Sequence, residues 1–189
     1  ISKDGIKKYY VSVNSIKDVI SKVGNIDILI NNAGISQIKM FQDITEDDWD
    51  NMFNINVRGM FLVTQGVIEN MIHNKWGRII NISSMWGEIG ASCEVHYSAS
   101  KAAVIGFTKA LAKELGPSGI TVNSISPGVI DTDMNSHLTQ NELDELCDET
   151  PLGRIGEPND VAKAALYLAD ESSGFITGAD IPINGGIII

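Results

Sequence analysis

The chain has 189 residues, 43% hydrophobic and 20% charged, a globular composition and not that of a disordered segment. Lys+Arg number 14 against 24 Asp+Glu, and the net charge of −10 argues against nucleic-acid binding, which needs a basic surface. No apolar run approaches the ~20 residues of a membrane span, and the polar start has no signal-peptide core. Cys93 and Cys147 have neither disulfide-framework nor metal-ligand spacing, so no metal site is expected. A single domain over residues 1–189, soluble and cytoplasmic, is the expectation.

Ile6–Val13 (IKKYYVSV) is rich in β-branched and aromatic residues and predicts a strand. Ile16, Val19, Ile20 and Val23 recur at helical spacing and predict a short helix ending before Gly24. Asp27–Ile30 (DILI) predicts a buried strand that stops at the turn residues Asn31-Asn32-Ala33-Gly34. Thr45 and Asp48 are spaced as a capping box, opening a long helix from Glu46 toward His73. Gly59 and Gly66 inside it predict a kink or a close contact. Arg78–Ile82 (RIINI) predicts a strand, Ser83–Glu94 a loop, and Tyr97–Leu115 a helix stopped by Gly116-Pro117. Ile120–Ser126 is the next strand, broken by Pro127-Gly128. Helices follow at Gln140–Glu149 and at Asn159–Ala169, the latter capped by Asn159, before a last strand at Asp180–Ile183. Such alternation predicts an α/β fold with a parallel sheet covered by helices on both faces.

Tyr97 and Lys101 lie at i, i+4 on one helix face. A nearby ammonium lowers a phenol pKa, so the pair can give and take a proton near neutrality. Alone, such a pair is more often a surface tyrosine beside a solvated lysine. Ser84, however, ends the RIINI strand thirteen residues earlier, at a carboxyl strand end where open α/β sheets bind ligands. Asn31–Gly34 and Pro127-Gly128 also follow strands directly, and their small residues leave room for a flat ligand. Asn56 reads by itself as a polar residue on a wet helix face.

NNAG at 31–34, Asn56, Ser84, Tyr97-x3-Lys101 and PGVIDTDM from Pro127 together resemble the short-chain dehydrogenase/reductase family, over roughly Ile6 to the C-terminus. Within it, GRIINISS, YSASKAAVIGFTKALAKEL and the closing INGG are most similar to bacterial β-ketoacyl-[acyl-carrier-protein] reductases. The resemblance implies a Rossmann-like doubly wound parallel sheet and reduction of a ketone to a secondary alcohol with NADPH, NADH being the alternative. Ser84 would hold the substrate carbonyl and Tyr97 would protonate it. Lys101 would bind the nicotinamide ribose and lower the Tyr97 pKa, and Asn56 would hold a water linking Lys101 to solvent. Ser12, Val13, Asn31, Ala33 and Gly34 would line the adenosine end of the cofactor, and Pro127, Gly128, Ile130 and Thr132 the nicotinamide end.

The family's Gly-rich phosphate turn precedes the strand at Ile6–Val13, and this chain has no residues there. The polypeptide is therefore expected to be longer than the 189 residues, because the missing strand is central in order 3-2-1-4-5-6 and its loss bares the edge of the DILI strand. A ketone that is free or carried on an acyl carrier protein is the expected partner, and a homotetramer the expected assembly. His73, Lys75 and Arg78 are the candidate carrier-docking residues. The alternatives are a reductase of another small ketone, sugar or steroid, and a non-catalytic protein that keeps these residues without the nucleotide half.

Overall fold

The computed structural model describes residues 13–136 and 138–188. Four parallel strands, β1 (Ile28–Asn31), β2 (Gly77–Ile82), β3 (Ile120–Pro127) and β4 (Asp180–Ile183), lie side by side in chain order. Each crossover carries helix, as a parallel pair requires. The helices are α1 (Val13–Val23), α2 (Glu46–Phe53), α3 (Met60–Asn74), α4 (Met85–Ile89), α5 (Val95–Leu115), α6 (Gln140–Glu149) and α7 (Pro158–Ala169). Alternate strand residues feed two cores. Ile79, Ile120 and Val122 pack with Ile16, Val67, Met71, Ala112 and Leu115 of α1, α3 and α5 on one face. Ile80 and Ile125 pack with Ala165 and Leu168 of α7 on the other. The sheet is doubly wound, as the sequence implies.

Several boundaries differ from expectation. Most of the strand expected at Ile6–Val13, with Ser12, lies outside the described residues; Val13 opens α1 instead. Ile28 and Ile30 are exposed, and among the described residues β1 has a neighbour on one side only. The expected long helix is α2 and α3 joined by a π-helical segment at Asn54–Gly59. Of its two glycines, Gly66 makes the close contact: a Cβ there would lie 2.5 Å from Ile16 Cγ2, so α1 seats on α3 at that point. The stretch expected as loop after Ser83 contains α4, because Ser84 caps it by accepting from Trp86 N at 3.2 Å and Met85 is buried beneath. Asn159 is not the cap of α7. Glu157 takes that place, its N–H donating to Asp160 Oδ2 at 2.9 Å, while Pro158 presets the first turn.

Candidate active site

The carboxyl ends of β1 and β2 converge on α5. Ser84 follows β2 directly. Ser83, beside it, donates from Oγ to the Lys101 carbonyl at 2.9 Å and from its N–H to Ile125 O at 2.7 Å, which ties the strand end to both α5 and β3. Tyr97 and Lys101 are 7% and 5% exposed. The Ser84 hydroxyl lies close enough to the Tyr97 phenol to lower its pKa. Lys101 Nζ lies 5.7 Å from the Tyr97 ring centroid and donates to Ile82 O at 2.9 Å.

Electrostatics here differ from the sequence expectation. Burial pushes the Tyr97 phenol up, the Ser84 hydroxyl pulls it down, and the negative charge of Glu94 raises it again. Lys101 is itself desolvated and pulled down to about 8. The phenol is thus held protonated, a donor in waiting.

Asn56 is 3% exposed, not on a wet face, because the π segment widens the turn and directs it inward. Its Oδ1 accepts from Ile35 N at 2.8 Å, and its Nδ2 donates to Ile35 O at 2.9 Å and to Ser100 Oγ at 3.0 Å. The amide pins the loop after β1 to α5. Gly34 closes the cluster. A Cβ on it would lie 3.3 Å from both Asn56 Oδ1 and Lys101 Nζ, so glycine keeps the space beside the ammonium open. An ammonium has three N–H donors, and Ile82 O takes one. The donors left suit the hydroxyls of a ribose.

Asn31 is not a simple lining residue. Its Nδ2 donates to Thr64 Oγ1 at 3.1 Å and Asn81 Oδ1 at 2.8 Å, turning the side chain into the interior between α3 and the sheet. Asn32 and Ala33 remain exposed beside it. Pro127 ends β3, and Gly128 passes β4 so closely that a Cβ would lie 2.9 Å from Asn184 Cα. Ile130 bridges to Gly156, its carbonyl accepts from Asn135 Nδ2 at 2.8 Å, and Thr132 is exposed. These residues stand at the neighbouring strand end, as expected of a second flank. Arg78, by contrast, is buried against the Trp76 ring at 4.7 Å and cannot serve as a docking cation, while His73 and Lys75 are exposed. Sequence reasoning missed Ser83, Ser100 and Gly87; the doubled serine and the run of small residues after Tyr97 were the available signals.

Comparison with known proteins agrees with this arrangement. A family model described as enoyl-(acyl carrier protein) reductase matches residues 12–188. The chain is 42% identical, over 98% of its length and 79% of the relative's, to the 3-oxoacyl-[acyl-carrier-protein] reductase FabG of Aquifex aeolicus. It is 45% identical, over 89% of its length and 69% of the relative's, to the acetoacetyl-CoA reductase of Cupriavidus necator. The crystal structure of a gluconate 5-dehydrogenase from Burkholderia cenocepacia, in complex with NADP and tartrate, superposes with a TM-score of 0.90 at 35% identity, covering 95% of this chain and 71% of the other. Strand order, site constellation and these likenesses converge: the chain belongs to the short-chain dehydrogenase/reductase family of oxidoreductases.

Proposed function

We propose that the protein reduces the 3-keto group of an acyl thioester, carried on acyl carrier protein, to the secondary alcohol, with NADPH as reductant. The observation that carries this reading is the buried Tyr97 phenol beside Ser84 with Lys101 alongside. The named activities of the Aquifex and Cupriavidus relatives support the substrate class, and the NADP of the Burkholderia structure supports NADPH over NADH.

A bound nicotinamide supplies the hydride. Ser84 donates to the ketone oxygen and fixes it beside Tyr97. The phenol gives its proton to that oxygen as negative charge develops there, and two donors already in place lower the barrier without reorganisation. Lys101 binds ribose hydroxyls and, as an ammonium, stabilises the phenolate left on Tyr97. Asn56 holds Ile35 and Ser100, keeping the loop after β1 and the helix bearing Tyr97 in register.

A small free hydroxy-ketone is the second reading. The segment after Thr132 favours it, since residues 133–149 hold six Asp or Glu and no Lys or Arg, which repels an acidic carrier. We read the assembly as a cytoplasmic homotetramer; exposed Ala102, Gly106 and Ala110 on α5, and exposed Leu166, Tyr167 and Phe175 around α7, support it. Among the described residues no helix is long and apolar enough to cross a membrane. The test is nicotinamide oxidation by the purified protein with acetoacetyl thioesters of the carrier and of CoA, and with a free ketone. Turnover of the carrier thioester with NADPH is expected. Cofactor binding with turnover of the free ketone alone would replace this reading by the second.

A further inference from the structure

His96 is fully buried and stands immediately before Tyr97, in the opening turn of α5. That turn is poorly held by its own backbone. The first four N–H groups of a helix lack intrahelical acceptors, and the side chain at the cap position, Glu94, makes no capping bond to them. The turn is instead tied down from outside. Lys39 N donates to Cys93 O at 2.7 Å, and His96 Nε2 meets Gln37 Oε1 at 2.9 Å. Both tethers come from the loop that follows Gly34.

Asp48 sets the polarity of this chain. Its carboxylate accepts from Lys39 Nζ at 2.6 Å, Thr45 N at 2.9 Å and Gln37 Nε2 at 3.1 Å, which holds its pKa well below the usual carboxylate range. Because a carboxylate only accepts, Gln37 turns its NH2 toward Asp48, leaving its carbonyl oxygen for His96. That oxygen cannot donate, so His96 carries its proton on Nε2 and Nδ1 is the bare nitrogen of a neutral ring. Nδ1 is buried with no hydrogen-bond partner among the described residues, so a second proton there would be an unpaired charge in a dry site. One direction of the chain is therefore allowed.

We propose that Gln37 and His96 are positioning residues for Tyr97: the one-way Asp48–Gln37–His96 chain anchors the opening turn of α5 through the His96 side chain and holds the phenol beside Ser84. Ser100, one turn further along the same face, extends the attachment by accepting from Asn56 Nδ2 at 3.0 Å. The catalytic part rests on Tyr97 being the proton donor; the mechanical part does not.

Hydrogen exchange read by mass spectrometry, with steady-state kinetics, tests both on the full protein. His96→Phe and Gln37→Ala should speed exchange of the amides at 95–101 about tenfold while other protected segments stay as in wild type. His96→Gln keeps an N–H donor of similar reach and should restore protection. In the two disrupted variants kcat should fall about tenfold with the cofactor KM unchanged. Wild-type protection in Gln37→Ala, or a His96→Gln variant as exposed as His96→Phe, would overturn the proposal. Faster exchange with unchanged kcat would also overturn it, since the clamp would then not serve Tyr97. If wild-type protein reduces no ketone, the functional reading falls while the exchange rates still decide the clamp.

Discussion

Gly87 and Lys101 meet backbone to backbone: a Cβ on Gly87 would lie 2.8 Å from the Lys101 carbonyl carbon. The short helix α4 thus rests directly on α5, and since Ser84 caps α4, this contact sets the spacing between Ser84 and Tyr97. Gly87→Ala should push the two helices apart. The expected outcome is a kcat at least about tenfold lower, with a stability loss of ~1–3 kcal/mol by chemical denaturation. An unchanged kcat would mean that α4 shifts without carrying Ser84.

Tyr97→Phe removes one oxygen and leaves the ring packing in place. Ketone reduction should fall by far more than tenfold, the equivalent of ~1.4 kcal/mol, with cofactor affinity unchanged. Retention of more than about a tenth of wild-type kcat would assign the proton to another group.

Lys101 gives a pH signature. Burial holds it at about 8, against 10.5 for an ordinary lysine. Below about 8 both folded and unfolded chains carry the charge, and the fold bears the full cost of burying it. Between the two values the unfolded chain binds the extra proton, so this group's contribution to stability rises with pH. The melting-temperature gain of Lys101→Met over wild type should be largest near ~pH 7 and shrink toward ~pH 10. Cofactor affinity runs the other way, weakening in the wild type as the ammonium is lost above about 8. A variant-minus-wild-type difference flat in pH would refute the buried charge.

Strand and helix order is legible in this sequence because the punctuation is local. Thr45 with Asp48 forms the expected capping box, and Gln140–Glu149 matches its observed helix residue for residue. The site was legible at Ser84, Tyr97 and Lys101, where motif and strand end coincide. Taken alone, Asn56 reads as a wet-face residue when a single 3.6-residue period is carried through the long helix, and only the family resemblance put it in the site. Met52, Asn56, Met60 and Thr64 are all buried at intervals of four, a spacing that drifts ~40° per step in an α-helix. The π segment cancels much of that drift. Arg78 was misjudged for another reason: a cation at the start of a strand reads as exposed, and its burial comes from how the strand packs.

The interior polar network should be costly to cut. Asn81 is fully buried, accepts from Asn31 Nδ2 and donates to Thr108 Oγ1 at 2.9 Å. Asn81→Ala removes one hydrogen bond from each partner, although Asn31 keeps Thr64 Oγ1 and Thr108 keeps Val104 O, and should destabilise by about 1–2 kcal/mol. Urea denaturation measures it; a loss under about 0.5 kcal/mol would mean that water replaces the amide.

Lys75 is the exposed lysine left for carrier docking once Arg78 is removed from the set. Lys75→Glu should raise KM for a carrier-bound ketone several-fold and leave that for a CoA thioester unchanged. Equal effects on both substrates would exclude this docking face.

A π turn takes one residue more than an α turn over the same advance. Deleting a single position within Asn54–Gly59 would return the stretch to α geometry and leave α2 and α3 flanking it much as they are. Asn56 would swing out of the interior, and Ile35 and Ser100 would lose their shared partner. In an evolutionary lineage, the support of this site is thus one codon from erasure with the scaffold standing, and one codon from being acquired again.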